Sequence, residues 1–215
     1  MGATNTRELL RRLGGAYGPM HWWPADSVFE VLVGAVLTQN TRWENVERAI
    51  TNLREADRLD PDSILSLPEP ELAALIRPSG YFNVKARRLS ALVRFIQYNG
   101  GLEILAEWDT PRLRTALLGV HGIGPETADD ILLYAFGRPV FVVDAYTRRL
   151  FARLDWFPER AGYEELRLHV EGEVGADAGA LNQLHALIVE HGKRHCRSRP
   201  ICTGCALVEI CAFGR

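Results

Sequence analysis

Lysine is almost missing from this chain. Of 25 basic residues among 215, only Lys85 and Lys193 are lysines, so side-chain amine chemistry has two places to reside. Cysteine is absent from the first 195 residues, which excludes a fold-wide disulfide framework. No apolar run approaches the length needed to span a bilayer. The arginines of the opening MGATNTRELLRRLGG are not followed by the apolar stretch of a signal peptide, so a soluble, intracellular protein is expected. Internal repeats and low-complexity segments are lacking. An excess of one charge is lacking as well: the formal net charge is −2. That value speaks against a wholly basic surface, but local patches matter more than the total. Basic residues gather at 85–88, 148–153 and 193–199. Each group reads either as a solvated helix face or as a phosphate-facing patch.

Hydrophobic residues make up 47% of the chain, enough to bury a sizeable core in one large domain or two small ones. Their spacing is helical nearly throughout. Residues 26–38 open with a capping candidate, Asp26 or Ser27, and are apolar nearly all round apart from Glu30, as in a buried central helix. Residues 83–98 set Leu89, Leu92, Val93 and Ile96 at helical spacing with arginines opposite and Asn83 as the cap. Pro70 and Pro111 suit first turns of short helices. Leu181, Leu184, Leu187 and Ile188 mark another amphipathic helix. The one strand-like run, 140–143, is short and without obvious partners, so it reads as an extended lead-in to a helix. The expected fold class is all-α.

All four cysteines, Cys196, Cys202, Cys205 and Cys211, lie within the last 20 residues in the pattern C-x5-C-x2-C-x5-C. Four thiols in one short loop suit a metal or a cluster, and disulfides are disfavoured inside cells. Structural zinc usually pairs two close C-x2-C knuckles, whereas only one exists here. A wide loop around one close pair fits a [4Fe–4S] cluster better, with zinc as the alternative. His191 and His195 are nearby as spare ligands or as surface, phosphate-contacting groups.

Residues 117–128 read LLGVHGIGPETA. Gly119, Gly122 and Gly124 permit a tight turn between two helices, and Thr127 and Ala128 open the second. Backbone N–H groups at such a helix start suit a phosphate, although a plain helix–helix turn has the same appearance. Twenty residues beyond Gly124 stands Asp144, just ahead of another helix. A carboxylate there caps the helix and stays ionised, and a cap can also be catalytic.

Three motifs, GIGPETAD, VVDAYTRR and HGKRHCRSRPICTGCALVEIC, resemble the endonuclease III superfamily of DNA glycosylases, with the likeness running from about Trp22 to Cys211. The resemblance implies two α-helical domains flanking a DNA-binding cleft. One is a six-helix domain over 26–134 with a helix-hairpin-helix at about 115–131. The other is built from 1–25 and 135–215 and carries the [4Fe–4S] loop at 196–211. It further implies a monomer, cytoplasmic and nucleoid-associated, that acts on double-stranded DNA with a damaged base and has no membrane partner. The damaged nucleotide is flipped out because its glycosidic bond is unreachable in the stack. His121, Gly122, Gly124 and Thr127 of the hairpin would grip the backbone, with a monovalent cation bound there, and Arg148 and Lys193 would add DNA contacts.

Family members that also cleave the backbone carry a lysine two residues after the second hairpin glycine. Glu126 stands at that position, and a carboxylate cannot form a Schiff base. The resemblance therefore implies a monofunctional glycosylase in which water attacks. Asp144 would stabilise positive charge at C1′ and orient or deprotonate the water, with Glu126 either catalytic or merely occupying the lysine position. His21-Trp22-Trp23-Pro24, LVGAVLTQNTRWENV and IRPSGYFNVKARRL resemble the 3-methyladenine DNA glycosylase III branch, which excises N-alkylated purines. Trp22, Trp23 and Trp43 match its base-sandwiching aromatics, although each could instead be a core residue. Gln39 and Asn40 occupy the turn where family members fill the hole left by the flipped base, or else they end a helix. Two departures, one from that branch and one from endonuclease III, bear on the substrate. Its typical member lacks the cysteine cluster, and the first cysteine interval here is one residue shorter than in endonuclease III. A glycosylase for deaminated, oxidised or mismatched bases is the alternative. A weakly active iron–sulfur protein that binds DNA structures is another.

Overall fold

The computed structural model describes residues 5–20 and 22–214, and among them the regular structure is helical, with no strand. Contacts divide the chain into two units, Ala25–Phe136 and Met1–Pro24 with Gly137–Arg215. No described helix is long and apolar enough to cross a membrane.

The Ala25–Phe136 unit is built on α2 (Val28–Leu37), capped by Ser27, whose hydroxyl accepts from the Glu30 amide. Asp26 is not the cap; its carboxylate accepts from Arg54 instead. Residues 29–37 are all buried, as the all-round apolar pattern requires. The single charge among them, Glu30, is met by Arg54 at 2.9 Å. Around α2 pack α3 (Trp43–Glu55) and α6 (Phe82–Tyr98), with α4 (Pro61–Ser66), α5 (Glu69–Leu75), α7 (Leu102–Ala106), α8 (Thr110–Leu118) and α9 (Pro125–Asp130) completing the unit. These are eight helices rather than the expected six. The count is higher because helices such as α4, α5 and α7, 5–7 residues long, are too short to show a hydrophobic period in sequence. Pro70 and Pro111 sit in the first turns of α5 and α8. Asn83 is not a cap: α6 begins one residue before it, after Tyr81 in a left-handed conformation.

The other unit contains α1 (Thr6–Tyr17), α10 (Ala145–Arg153), α11 (Tyr163–Val174) and α12 (Ala178–Arg194). α12 is its axis, packed by α1, α10 and α11. Leu181, Leu184, Leu187 and Ile188 are fully buried along it. Residues 140–143 are buried and extended without pairing as a strand, and they deliver the chain into α10.

Candidate functional site

The glycine turn lies between α8 and α9. Gly122 has φ +82, and a Cβ there would come within 2.3 Å of Arg88 Cγ, so glycine is required on both counts. Gln39, just past α2, braces the turn from behind. Its Nε2 donates to the Gly122 carbonyl at 3.1 Å and to Thr127 Oγ1 at 2.9 Å. Its Oε1 accepts from Arg88 Nη1 at 2.6 Å. Gln39 is thus committed to the hairpin, while its neighbour Asn40 is exposed with φ 53. The Val120 and Gly122 carbonyls each accept one hydrogen bond, from Ile123 N and from Gln39, and each keeps a lone pair that a monovalent cation could use. His121, Gly124 and Glu126 are exposed, whereas Thr127 is buried. Trp43 is half-buried in the first turn of α3, with its indole N–H donating to Glu47 at 2.9 Å.

Lys85 changes the reading of the 85–88 basic group. It is 1% exposed, with Nζ donating to the Leu37 carbonyl at 2.8 Å and the Ser79 carbonyl at 2.7 Å. Burial, then the charge of Arg88, push its amine down to about 8. One buried group thereby ties the end of α2, which leads to Asn40, to the loop that leads to Tyr81. Tyr81 is 73% exposed with φ 46, an aromatic ring held in a conformation that bulky residues avoid.

In the other unit Asp144 caps α10, its Oδ1 accepting from the Thr147 amide at 2.7 Å. Its side chain is 13% exposed, so it can meet a reactant without being solvated on all sides. His185 of α12 places Nε2 3.7 Å from Oδ2. Burial works to raise the Asp144 carboxyl, but the contact and charge of His185 and the Thr147 hydrogen bond outweigh it and hold the group below its ordinary value. α10 and α12 approach closely at Gly192, where an added Cβ would lie 2.2 Å from Tyr146 Cδ1. Trp22 is half-buried with the Lys193 ammonium 5.0 Å from its ring centroid. Trp23 is half-buried at φ 65, and His21 lies outside the described residues. Arg148 Nη1 donates to the Ala161 carbonyl at 2.7 Å, so this member of the second basic group is engaged with its own loop.

The four cysteines are free thiols, and all four line one small cavity with Leu150, Leu207 and Phe213. Arg149 Nε donates to the Cys196 carbonyl at 2.7 Å, and Arg153 Nη1 lies 3.2 Å from Cys196 Sγ. Most of the 148–153 basic group therefore fastens the cysteine loop. His191 Nε2 lies 3.8 Å from Cys205 Sγ, with Tyr17 Oη 2.9 Å from its Nδ1. Burial and the three neighbouring thiols push the Cys205 thiol up, against a lowering from the backbone N–H of Leu207. Bound cationic iron would reverse that shift by holding thiolates. Among the described residues, no three His, Cys, Asp or Glu side chains converge to hold a single ion. The donor set, four thiols around one cavity with a guanidinium beside them, fits an iron–sulfur cluster.

A family model for the HhH-GPD superfamily base excision DNA repair proteins matches residues 33–175, which include the hairpin and Asp144. The chain belongs to this superfamily. A Methanocaldococcus jannaschii protein named as a DNA repair glycosylase is 48% identical over 198 residues, covering 91% of this chain and 90% of that protein. The chain is also similar to the Helicobacter pylori 3-methyladenine DNA glycosylase bound to 1,N6-ethenoadenine. There the TM-score is 0.77 and the identity 32%, over 88% of this chain and 97% of the other. A non-covalent endonuclease III–DNA complex gives a TM-score of 0.82 and 25% identity, over 97% and 94%. The protein is accordingly a DNA glycosylase.

Within this glycosylase three residues were not singled out for a role from sequence. His185 is one of several polar residues in the amphipathic α12, and nothing in its spacing sets it apart. Lys85 looked like part of a surface patch, although its register with Leu89, Leu92 and Ile96 marks the buried stripe of α6. Tyr81 carried only the signal of an aromatic beside Gly80.

Proposed function

We propose that the protein is a monofunctional glycosylase that flips a damaged base out of duplex DNA and hydrolyses its N-glycosidic bond, with N-alkylated purines as the first substrate class. The observation that carries this is the ionised Asp144 cap in a chain whose hairpin has no amine. Of the two lysines, Lys85 is enclosed and Lys193 lies over Trp22. In the reaction the C1′–N bond breaks with its electron pair leaving on the base, and the sugar gains oxocarbenium character. Asp144 stabilises that charge, water adds to C1′, and the carboxylate takes the water's proton. A cationic base departs unaided, and a neutral one must gain a proton. The hairpin amides and the exposed His121 side would grip the DNA backbone, while the exposed Asn40 and Tyr81 would enter the stack. Cys196, Cys202, Cys205 and Cys211 would hold a [4Fe–4S] cluster, which supplies iron–thiolate bonds that order the loop.

The likeness to a 3-methyladenine glycosylase and the half-buried Trp22, Trp23 and Trp43 support a flat base. One observation favours a second reading. The Lys193 ammonium already rests on Trp22, and a resident cation repels a cationic base while tolerating a neutral deaminated or oxidised one. Duplexes each carrying a single lesion separate the two. Release of 3-methyladenine ahead of neutral lesions supports the first reading, and the reverse order supports the second. In either case the abasic strand should stay intact until alkali is added. Borohydride trapping of an enzyme–DNA adduct would refute the water mechanism, and an Asp144→Asn variant of unchanged rate would remove Asp144 from its role. Failure to release a base from any of these duplexes would refute both substrate readings.

A further inference from the structure

Both carboxylate oxygens of Asp144 have a neighbour. Oδ1 takes the Thr147 amide at 2.7 Å, and Oδ2 faces His185 Nε2 at 3.7 Å. That distance suffices for a charge interaction and, with a small turn of the ring, for a hydrogen bond. His185 is 4% exposed and sits edge-on to Phe141, with centroids 6.1 Å apart at 86°. Its reach toward Asp144 depends on Gly192, two turns further along the same face of α12, where Tyr146 of α10 occupies the space of a Cβ. A leucine at 185 would serve the apolar packing without the cost of burying an imidazole, so the packing alone does not explain the residue.

We propose that His185 is a positioning residue for hydrolysis: it holds Oδ2 while the Thr147 amide holds Oδ1, which fixes the rotation and the charge of the Asp144 carboxylate. This rests on the reading of Asp144 as the group that meets the cationic sugar. Removing Nε2 frees the carboxylate to turn about Cβ–Cγ and to take up a proton in its buried setting. Interactions made only with the charged transition state are lost, and binding of the neutral duplex is not.

The test compares two duplexes that differ in charge at the sugar, one with a cationic pyrrolidine abasic analogue and one with the neutral tetrahydrofuran analogue. The wild-type protein should prefer the cationic duplex. His185→Phe, which keeps a ring against Phe141, should lower that preference by about tenfold and leave affinity for the neutral duplex unchanged. His185→Leu removes the same donor without a ring and should behave alike, which covers failure of either variant to fold. His185→Gln, with an N–H that can face Oδ2, should recover most of the preference. The proposal is overturned if the donor-free variants keep the full preference, or if they weaken both duplexes equally. Asp144→Asn, which still caps α10, separates the two levels. If it retains the wild-type preference, the Asp144 reading fails and His185 falls with it. If it loses the preference while His185→Phe keeps it, only the role of His185 fails.

Discussion

Replacing Lys85 by methionine tests whether a buried amine is part of the energetic frame of the hairpin unit. The side chain is 1% exposed, and its amine is pushed from an ordinary 10.5 down to about 8. Below pH 8 both folded and unfolded chains carry the proton, and the cost of burying it is constant. Between pH 8 and 10.5 the unfolded chain keeps a proton that the folded chain has released. Stability must therefore rise with pH in that window. Each unit is worth about 1.4 kcal/mol, so moving from pH 8 to pH 9.5 should add about 2 kcal/mol. Lys85→Met has no proton to lose. It also leaves the Leu37 and Ser79 carbonyls without their donor, at about 1–3 kcal/mol each. Urea unfolding of both proteins at several pH values isolates the effect, because titration of every other group cancels in the difference. The gap in stability between wild type and variant should widen by about 2 kcal/mol from pH 8 to pH 9.5. A gap that stays flat would show that the ammonium is not desolvated, and the account of Lys85 would fall.

Gly192→Ala drives a Cβ into the Tyr146 ring; it should cost about 1–3 kcal/mol and slow base release, read by thermal melting and single-turnover kinetics. Glu126→Lys restores an amine to the hairpin and should yield an enzyme–DNA adduct trappable with borohydride; no adduct would mean that this position does not reach the sugar. Cys205→Ser should lose iron and the broad visible absorbance of the cluster, and stoichiometric zinc in the wild-type protein would overturn the cluster assignment. Affinity for duplex DNA should fall steeply with salt, but less so than three basic groups would imply, since Lys85 and Arg148 are bonded within the fold.

The class of fold was legible because most helices carry a 3.6-residue stripe, and α2 stood out as a run apolar on every side. Short helices such as α7 were not legible, since five residues cannot display a period. The candidate site divided along a similar line. Asp144, the glycine turn and the cysteine loop are local patterns in which spacing and chemistry coincide. The residues that serve them act across the fold. Gln39 reaches Gly122 over 83 positions, and His185 reaches Asp144 from a different helix. Charge was the poorest guide. Arginines at 149 and 153 and the lysine at 85 looked like surface and proved to be internal fasteners, because a long side chain can turn its charged end to a buried carbonyl or sulfur as readily as to water.

The pairing of Lys193 with Trp22 gives this glycosylase a built-in footprint. Lys85 is enclosed, so Lys193 is the one side-chain amine open to an acylating reagent. A base that stacks on the outer face of Trp22 must move that ammonium aside or trap it beneath DNA. Acylation at Lys193, followed by mass spectrometry with and without a lesion duplex, would therefore report occupancy of the aromatic face from a single residue. It needs no label on the DNA, and it would register a bound base even where no bond is broken.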